Sequence, residues 1–317
     1  MSSFFCVSLD FEKKWGLLDR NIPEYDSSIR KVEEIVPRLL DIFEENRIHC
    51  TWAFVGALLV RTSSDLTRLL ELSNYLTYDN KDLIPSSYFK DSCLDLQLYS
   101  GFYELKKIQN TEGQELASHT LFHTYFNEEG LPSTVLAKES MLFDSYVFSI
   151  LGIKCSGIIF PRNQIPQDLS QMPYSYYRSN LNNIFDRGYS ECELNLLNRS
   201  LRLIDSWIPL RKYRGCKPSI DCENKLAIPA TRFFRSHNRF NFLNSLHVNR
   251  IKREMTWAAK NGDFYHLWWH PHNFGGDIEL SFRNLELIVG HYHFLKDKYG
   301  MKSVNMSEVY KDFVGNK

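Results

Sequence analysis

The chain has 317 residues, long enough to bury one large core, and its 38 lysines and arginines balance 38 aspartates and glutamates. That balance leaves no global field to hold a polyanion, and the arginines at 178, 187, 199 and 202 are scattered, so no nucleic-acid partner is expected. Seven cysteines without a CxxC pair argue against a disulfide framework and a cysteine zinc site, and they fit a reducing, cytoplasmic setting.

The first element is "FFCVSL", residues 4–9, a continuously apolar β-forming run that ends in acidic residues as a buried parallel strand would. Asp10 and Glu12 interrupt it too early for a signal peptide, and no apolar run reaches the ~18 residues of a membrane span, so none is expected. "SSIRKVEEIVPRLLDIFEENRIH" places Ile29, Val32, Ile35, Val36, Leu39, Leu40 and Phe43 at helical spacing and reads as one amphipathic helix despite Pro37. "CTWAFVGAL", residues 50–58, is the next buried strand, which begins a βαβ series.

Residues 61–112 read as short helices and elaborated loop, and "GQELASHTLFHTYF" as a strand ending at Ser118. "STVLAKESMLFDSYVFSILG" is a helix closing at Gly152, and "CSGIIFPRNQ" a short strand stopped by Pro161. From about 165 to 235 the pattern is weak: a helix in "LLNRSLRLIDSWI", then loops that include the basic run "IPLRKYRGCK". "NSLHVNRIKREMTWAAKNGD" is a helix, "FYHLWWH" a strand, and "LSFRNLELIVGHYHFLKDKYG" the last long helix. Without repeats or linkers, residues 1–317 are expected to form one α/β domain with insertions at about 61–112 and 165–235.

Polar groups follow four apolar runs: Asp10 and Glu12, His119 and His123, Arg162 and Asn163, and His270 and His272. In a parallel barrel all four strand exits lie on one face, where functional groups gather. In "SHTLFH" the two histidines could ligate one metal from a helix turn or tight loop, and a carboxylate would complete a facial set. In "LDFE", residues 10 and 12 return to the same side of an extended strand, so one carboxylate could bind metal while the other takes a proton from water. Trp268 and Trp269 point in opposite directions, one able to line a sugar surface and the other to fill the wall.

Taken in order, "SLDFE", "SHTLFH", "FPRNQ" and "HLWWHPHNFG" resemble the polysaccharide deacetylase, or NodB-homology, family, and most of all its divergent members in surface-polysaccharide and O-antigen biosynthesis. The resemblance implies a distorted (β/α) barrel of seven or eight parallel strands and a metal-dependent hydrolysis of a sugar N-acetyl group. It implies Asp10 as general base, Glu12, His119 and His123 as ligands of a divalent metal, zinc first, and His270 as general acid. The family's second aspartate is replaced by Phe11, which has no donor, so the reverse roles of Asp10 and Glu12, or a loss of metal affinity, stay open. Arg162 follows rather than precedes its proline and is carried over as an orienting or substrate-binding group, with Asn163, Trp269 and His272 as substrate contacts and His266 as core. The expected substrate is a nucleotide- or lipid-linked amino sugar whose phosphates could meet Arg211, Lys212 and Arg214. A deformylase, or a noncatalytic carbohydrate-binding protein on the same fold, is the alternative.

Overall fold

The computed structural model describes residues 3–18, 22–73, 95–127, 134–181, 196–207, 213 and 215–315. Arg187, Arg211, Lys212, Arg214, Cys93 and Cys192 lie outside the described residues, as do the side chains of Arg199 and Arg202.

The chain runs through β1 (Phe4–Phe11), α1 (Asp26–Arg30), α2 (Val32–Asn46), β2 (Cys50–Phe54), α3 (Ser63–Ser73), α4 (Leu96–Tyr99), α5 (Phe102–Asn110) and β3 (Gln114–Ser118). It continues through α6 (Thr134–Leu151), β4 (Gly157–Ile158), β5 (Tyr176–Ser179), α7 (Leu196–Trp207), β6 (Ser219–Ile220), β7 (Leu226–Pro229) and β8 (Arg232–Phe233). It ends with α8 (Asn241–Asn261), β9 (Phe264–Trp269), α9 (Ile278–Tyr299), β10 (Lys302–Val304) and α10 (Met306–Gly315). The helix expected as one piece breaks at Lys31 into α1 and α2, and Pro37 sits inside α2 without ending it. Gly152, Gly262 and Gly300 follow α6, α8 and α9 in the left-handed conformation that a C-terminal cap requires.

The strands form one sheet in the order β6-β7-β5-β4-β3-β2-β1-β9-β8, with β10 beside β1, and every pairing is parallel except β6 with β7. With its flanking helices it is consistent with a distorted (β/α) barrel, but strand pairing does not close it. Between β7 and β8 the chain instead steps across the seam. Ala230 N–H donates to the Ser179 carbonyl on β5 at 2.8 Å, and Thr231 N–H to the His266 carbonyl on β9 at 2.9 Å.

Strand alternation divides the core into two clusters. Phe5, Val7, Leu9 and Phe11 of β1 point outward into the helix layer, where Phe43 of α2 packs edge-on against Trp52 and Trp269. Each such buried side chain contributes about 1.5–3 kcal/mol. The inner cluster is Cys6, Ala53, Ala117, Ile159, Tyr176 and Ile228, covered at the N-terminal end of the strands by Met306 and Val309 of α10. With α10 covering that end, the C-terminal ends of the inner faces are where polar side chains gather.

Candidate metal centre and its surroundings

Ser8, Asp10 and Glu12 share the inner face, because the side-chain period along β1 is two residues. Phe11 points the other way and packs edge-on against Trp52 at 6.4 Å, so the odd position supplies wall and the even ones supply chemistry. The chain turns into a 3-10 segment at Lys13, whose ammonium is buried in an ion pair with Glu104 of α5 at 3.1 Å. Gly16 of that segment lies against Glu12: a Cβ there would sit 2.2 Å from the carboxylate carbon.

"SHTLFH" is a loop rather than a helix turn, with Thr120 and His123 both at positive φ. Its backbone is satisfied from several sides. His119 N–H donates to the Phe54 carbonyl at 2.9 Å, and the Thr120 and Leu121 carbonyls accept from Gly56 and Ala57, also at 2.9 Å. Thr124 N–H donates to Thr120 Oγ1 at 2.8 Å, and Leu121 N–H donates to the buried carboxyl of Glu139 on α6. Such over-determination is what allows left-handed conformations at non-glycine residues.

These supports bring Glu12, His119 and His123 together, with one potential ligand atom from each lying within 4.8 Å of the others. All three are buried. His119 Nδ1 is 2.7 Å from the Ile159 carbonyl, which fixes the proton there and leaves Nε2 as a lone-pair donor, as metal-binding histidines require. The Nε2 atoms of His119 and His123 lie 3.4 and 2.8 Å from Glu12 Oε2, yet neither has a properly aligned hydrogen bond. Buried nitrogens that converge on a carboxylate without bonding to it suit a shared divalent cation. Burial opposes ionisation of Glu12, but the neighbouring imidazoles, His270 first, hold its pKa well below the usual range; burial lowers that of His123, against the pull of Glu12.

Glu139 anchors the loop. Burial pushes its pKa up to about 8, so it carries a proton at neutral pH. An unfolded glutamate ionises near ~4.3, so this group's contribution to stability is present at lower pH and lost as pH rises to about 8. Glu139→Gln keeps an acceptor for the Leu121 amide and should flatten that pH dependence in chemical denaturation while preserving metal affinity. Glu139→Ala should weaken metal affinity ~10–100-fold, the usual cost of losing a supporting group.

Asp10 is held by Arg178 of β5, not by Arg162. Arg178 Nη1 donates to Oδ1 at 2.6 Å and Nη2 to Oδ2 at 2.8 Å, while Ser8 Oγ and Asn163 Oδ1 accept its remaining N–H groups. Its guanidinium also lies 4.2 Å from the centre of the Trp268 ring. Burial would raise the pKa of Asp10, but the Arg178 charge and then His119 lower it, so the carboxylate stays ionised. Ser8 Oγ contacts His266 Nε2 at 2.8 Å, and burial followed by Arg178 pushes His266 down to about 3. His266 is thus a neutral interior residue beneath the site.

Arg162 stands instead over the Tyr125 ring at 3.9 Å, beside His123, at positive φ. Asn163, also at positive φ, is committed through Oδ1 to Arg178. The expectation for Trp269 is corrected: it is 0% exposed and packs against Phe43, Phe234 and Phe274 in the outer layer. Alternation puts Trp268 on the inner face with His266 and His270, so it is Trp268, partly exposed and 4.7 Å from Phe233, that lines the site.

His270 fronts the cluster, its Nε2 at 3.8 Å from Asp10 Oδ2 and 3.6 Å from Glu12 Oε1, and its Nδ1 contacting Asn273 Oδ1 at 3.3 Å. His272 packs beside His270 at 5.1 Å and edge-on to Tyr25, and burial lowers it to about 4. Gly275 and Gly276 allow close approach: a Cβ on Gly275 would meet the Ser28 backbone at 2.5 Å, and one on Gly276 the His237 ring at 2.3 Å. Arg178, Phe233, Asn273 and Glu139 were not marked by sequence, and of the tryptophan pair only the structure shows which one faces the site. For Arg178 a signal existed: in "YYRS" it follows Tyr176 by two positions in a β-forming run, and an arginine on an inner strand face needs a buried acid.

No protein-family model matches the sequence, and no curated protein matches it by sequence. Solved structures do match by fold. A protein from Mycobacterium smegmatis named as a polysaccharide deacetylase superposes with a TM-score of 0.60 at 11% identity, covering 100% of this chain and 92% of that one. The α-amylase AmyC from Thermotoga maritima gives 0.56 at 12% identity over 98% and 74% of the two chains. PuuE allantoinase gives 0.55 at 8% identity over 97% and 88%. These names denote different reactions, so the likeness is one of fold, and the reaction must be read from the side chains.

Proposed function

We propose that the protein hydrolyses the N-acetyl group of an amino sugar, with Glu12, His119 and His123 holding a divalent metal, zinc first. When bound there, the metal would supply Lewis-acid polarisation of the amide carbonyl and a binding place for the attacking water. The observation that carries this reading is that the ligand set lies in one buried cluster with an ionised carboxylate locked by arginine and a histidine facing both acids.

Asp10 accepts the proton of the attacking water. Its two oxygens are oriented by Arg178, which keeps it ionised and ready to do so. The water oxygen bonds to the carbonyl carbon, and the bond from that carbon to the sugar nitrogen breaks. His270 Nε2 donates the proton that the leaving amine needs, and the Nδ1 contact with Asn273 aims the ring. Trp268 and Phe233 offer partly exposed aromatic faces to the apolar side of a sugar ring.

The test is acetate release from N-acetylated amino sugars by the metal-loaded protein. Asp10→Asn and His270→Ala should each lower turnover ~10²–10⁴-fold, the range for loss of a general base or acid. Formate release from an N-formyl sugar with no acetate release would assign the deformylase instead. Release of neither product, or full activity in both variants, would overturn the reading.

A further inference from the structure

At the C-terminal side of the sheet, Arg235 contrasts with the buried arginines. Arg178 is neutralised by Asp10, and Arg232 and Arg250 by Glu254 and Asp205, in ion pairs of 2.6–3.3 Å. Arg235, two residues beyond β8, is only half-exposed and has no carboxylate partner among the described residues. Its Nε donates to Ser206 Oγ at 2.8 Å and its backbone N–H to His247 Nε2 at 3.1 Å, which fixes the stem of the side chain. No hydrogen bond uses Nη1 or Nη2 among the described residues, so two donor groups of the fork remain available.

Its position is next to the reaction pocket. The guanidinium lies 5.6 Å from the centre of the Phe233 ring, and that ring is 5.8 Å from His270. Tyr25, which is 42% exposed, flanks His272 edge-on at the same rim. Burial lowers the pKa of Arg235 from the ordinary arginine value, and a bound anion would favour its charged form. The fork matches tetrahedral oxygens, and no acid among the described residues occupies it.

Resting on the amide-hydrolase reading above, we propose that Arg235 forms a subsite for a phosphate carried by the amino sugar, one ring away from His270. The phosphate can belong to a sugar monophosphate or to a diphosphate ester of a nucleoside or lipid; both present the same oxygens to the arginine.

The experiment compares the metal-loaded wild type, Arg235→Met and Arg235→Lys on three probes: N-acetylglucosamine 1-phosphate, a nucleoside diphosphate ester of the same sugar, and its neutral methyl glycoside. The wild type is expected to favour a phosphorylated probe over the glycoside in kcat/KM. Arg235→Met should erode that preference by at least ~10-fold, mostly through KM, because a charge-assisted hydrogen bond is lost on one probe class only. Arg235→Lys should recover part of it, and the better phosphorylated probe identifies the carrier. No preference in the wild type, or an equal fall on charged and neutral probes, would overturn the subsite. Calorimetric titration of the metal-free proteins with inorganic pyrophosphate separates this from the reading beneath it. Loss of acetate release from every probe with binding that weakens ~10-fold in Arg235→Met would sink the hydrolase but keep the subsite. Absent or equal pyrophosphate binding in the two proteins would remove the subsite whatever the hydrolase does.

Discussion

Replacing Arg178 with methionine should destabilise the protein by about 3–5 kcal/mol, because it leaves the Asp10 carboxylate buried without a counter-charge. Both partners are nearly inaccessible, at 0% and 4% side-chain exposure, so water cannot take over the role of the guanidinium. The loss should be partly recovered in the double variant Asp10→Asn with Arg178→Met, since removing both charges removes the desolvation penalty as well as the attraction. Arg178→Lys should not restore stability, for an ammonium cannot serve Asp10, Ser8 and Asn163 together as the planar fork does. Chemical denaturation of the four proteins reads this directly. A single variant Arg178→Met as stable as the wild type would show that the pair does not hold the inner face together.

Gly16→Ala is expected to remove metal binding without unfolding the chain. The added Cβ would stand 2.2 Å from the Glu12 carboxylate carbon and one of its oxygens, and 2.6 Å from the other, so the side chain must leave its place. Gly16 is not at positive φ, and its backbone therefore accepts alanine. Displacing a ligand should cost at least the ~100-fold in affinity that loss of a supporting outer group can cost. The visible absorption of added Co(II) and competition with a chromophoric chelator measure it, while far-ultraviolet circular dichroism of the metal-free variant reports the fold. Unchanged affinity would mean that Glu12 is not a ligand and would favour the reverse roles of Asp10 and Glu12.

Both variants concern residues whose importance differs in how it can be read. Glu12 was legible because alternation along "LDFE" alone places it beside Asp10, and His119 and His123 because a strand must end where "ELAS" gives way to a polar loop. The ends of α6, α8 and α9 were equally legible, each marked by a glycine that takes the left-handed cap. The region from about 165 to 235 was not. Its strands are short, β8 having two residues and β5 and β7 four each, too few to show a period. The sheet pairing, not the local pattern, makes them strands.

What the sequence by itself determined is therefore the direction of side chains: Asp10 and Glu12 together on one face, Phe11 on the other, His270 at a strand exit, and the helices with their stops. These follow from periods of two and 3.6 residues that any stretch of chain carries internally. Only the tertiary structure decided the partners. Asp10 and Arg178 are separated by 168 positions and meet because β1 and β5 face one another across the interior of the folded sheet. Arg162, nearer to the expected motif, is drawn to Tyr125 instead, and Trp268 rather than Trp269 reaches the site because the register of β9 against β1 sets which tryptophan faces inward. Charges find counter-charges through sheet order and burial, and neither is written in the neighbours of a residue along the chain.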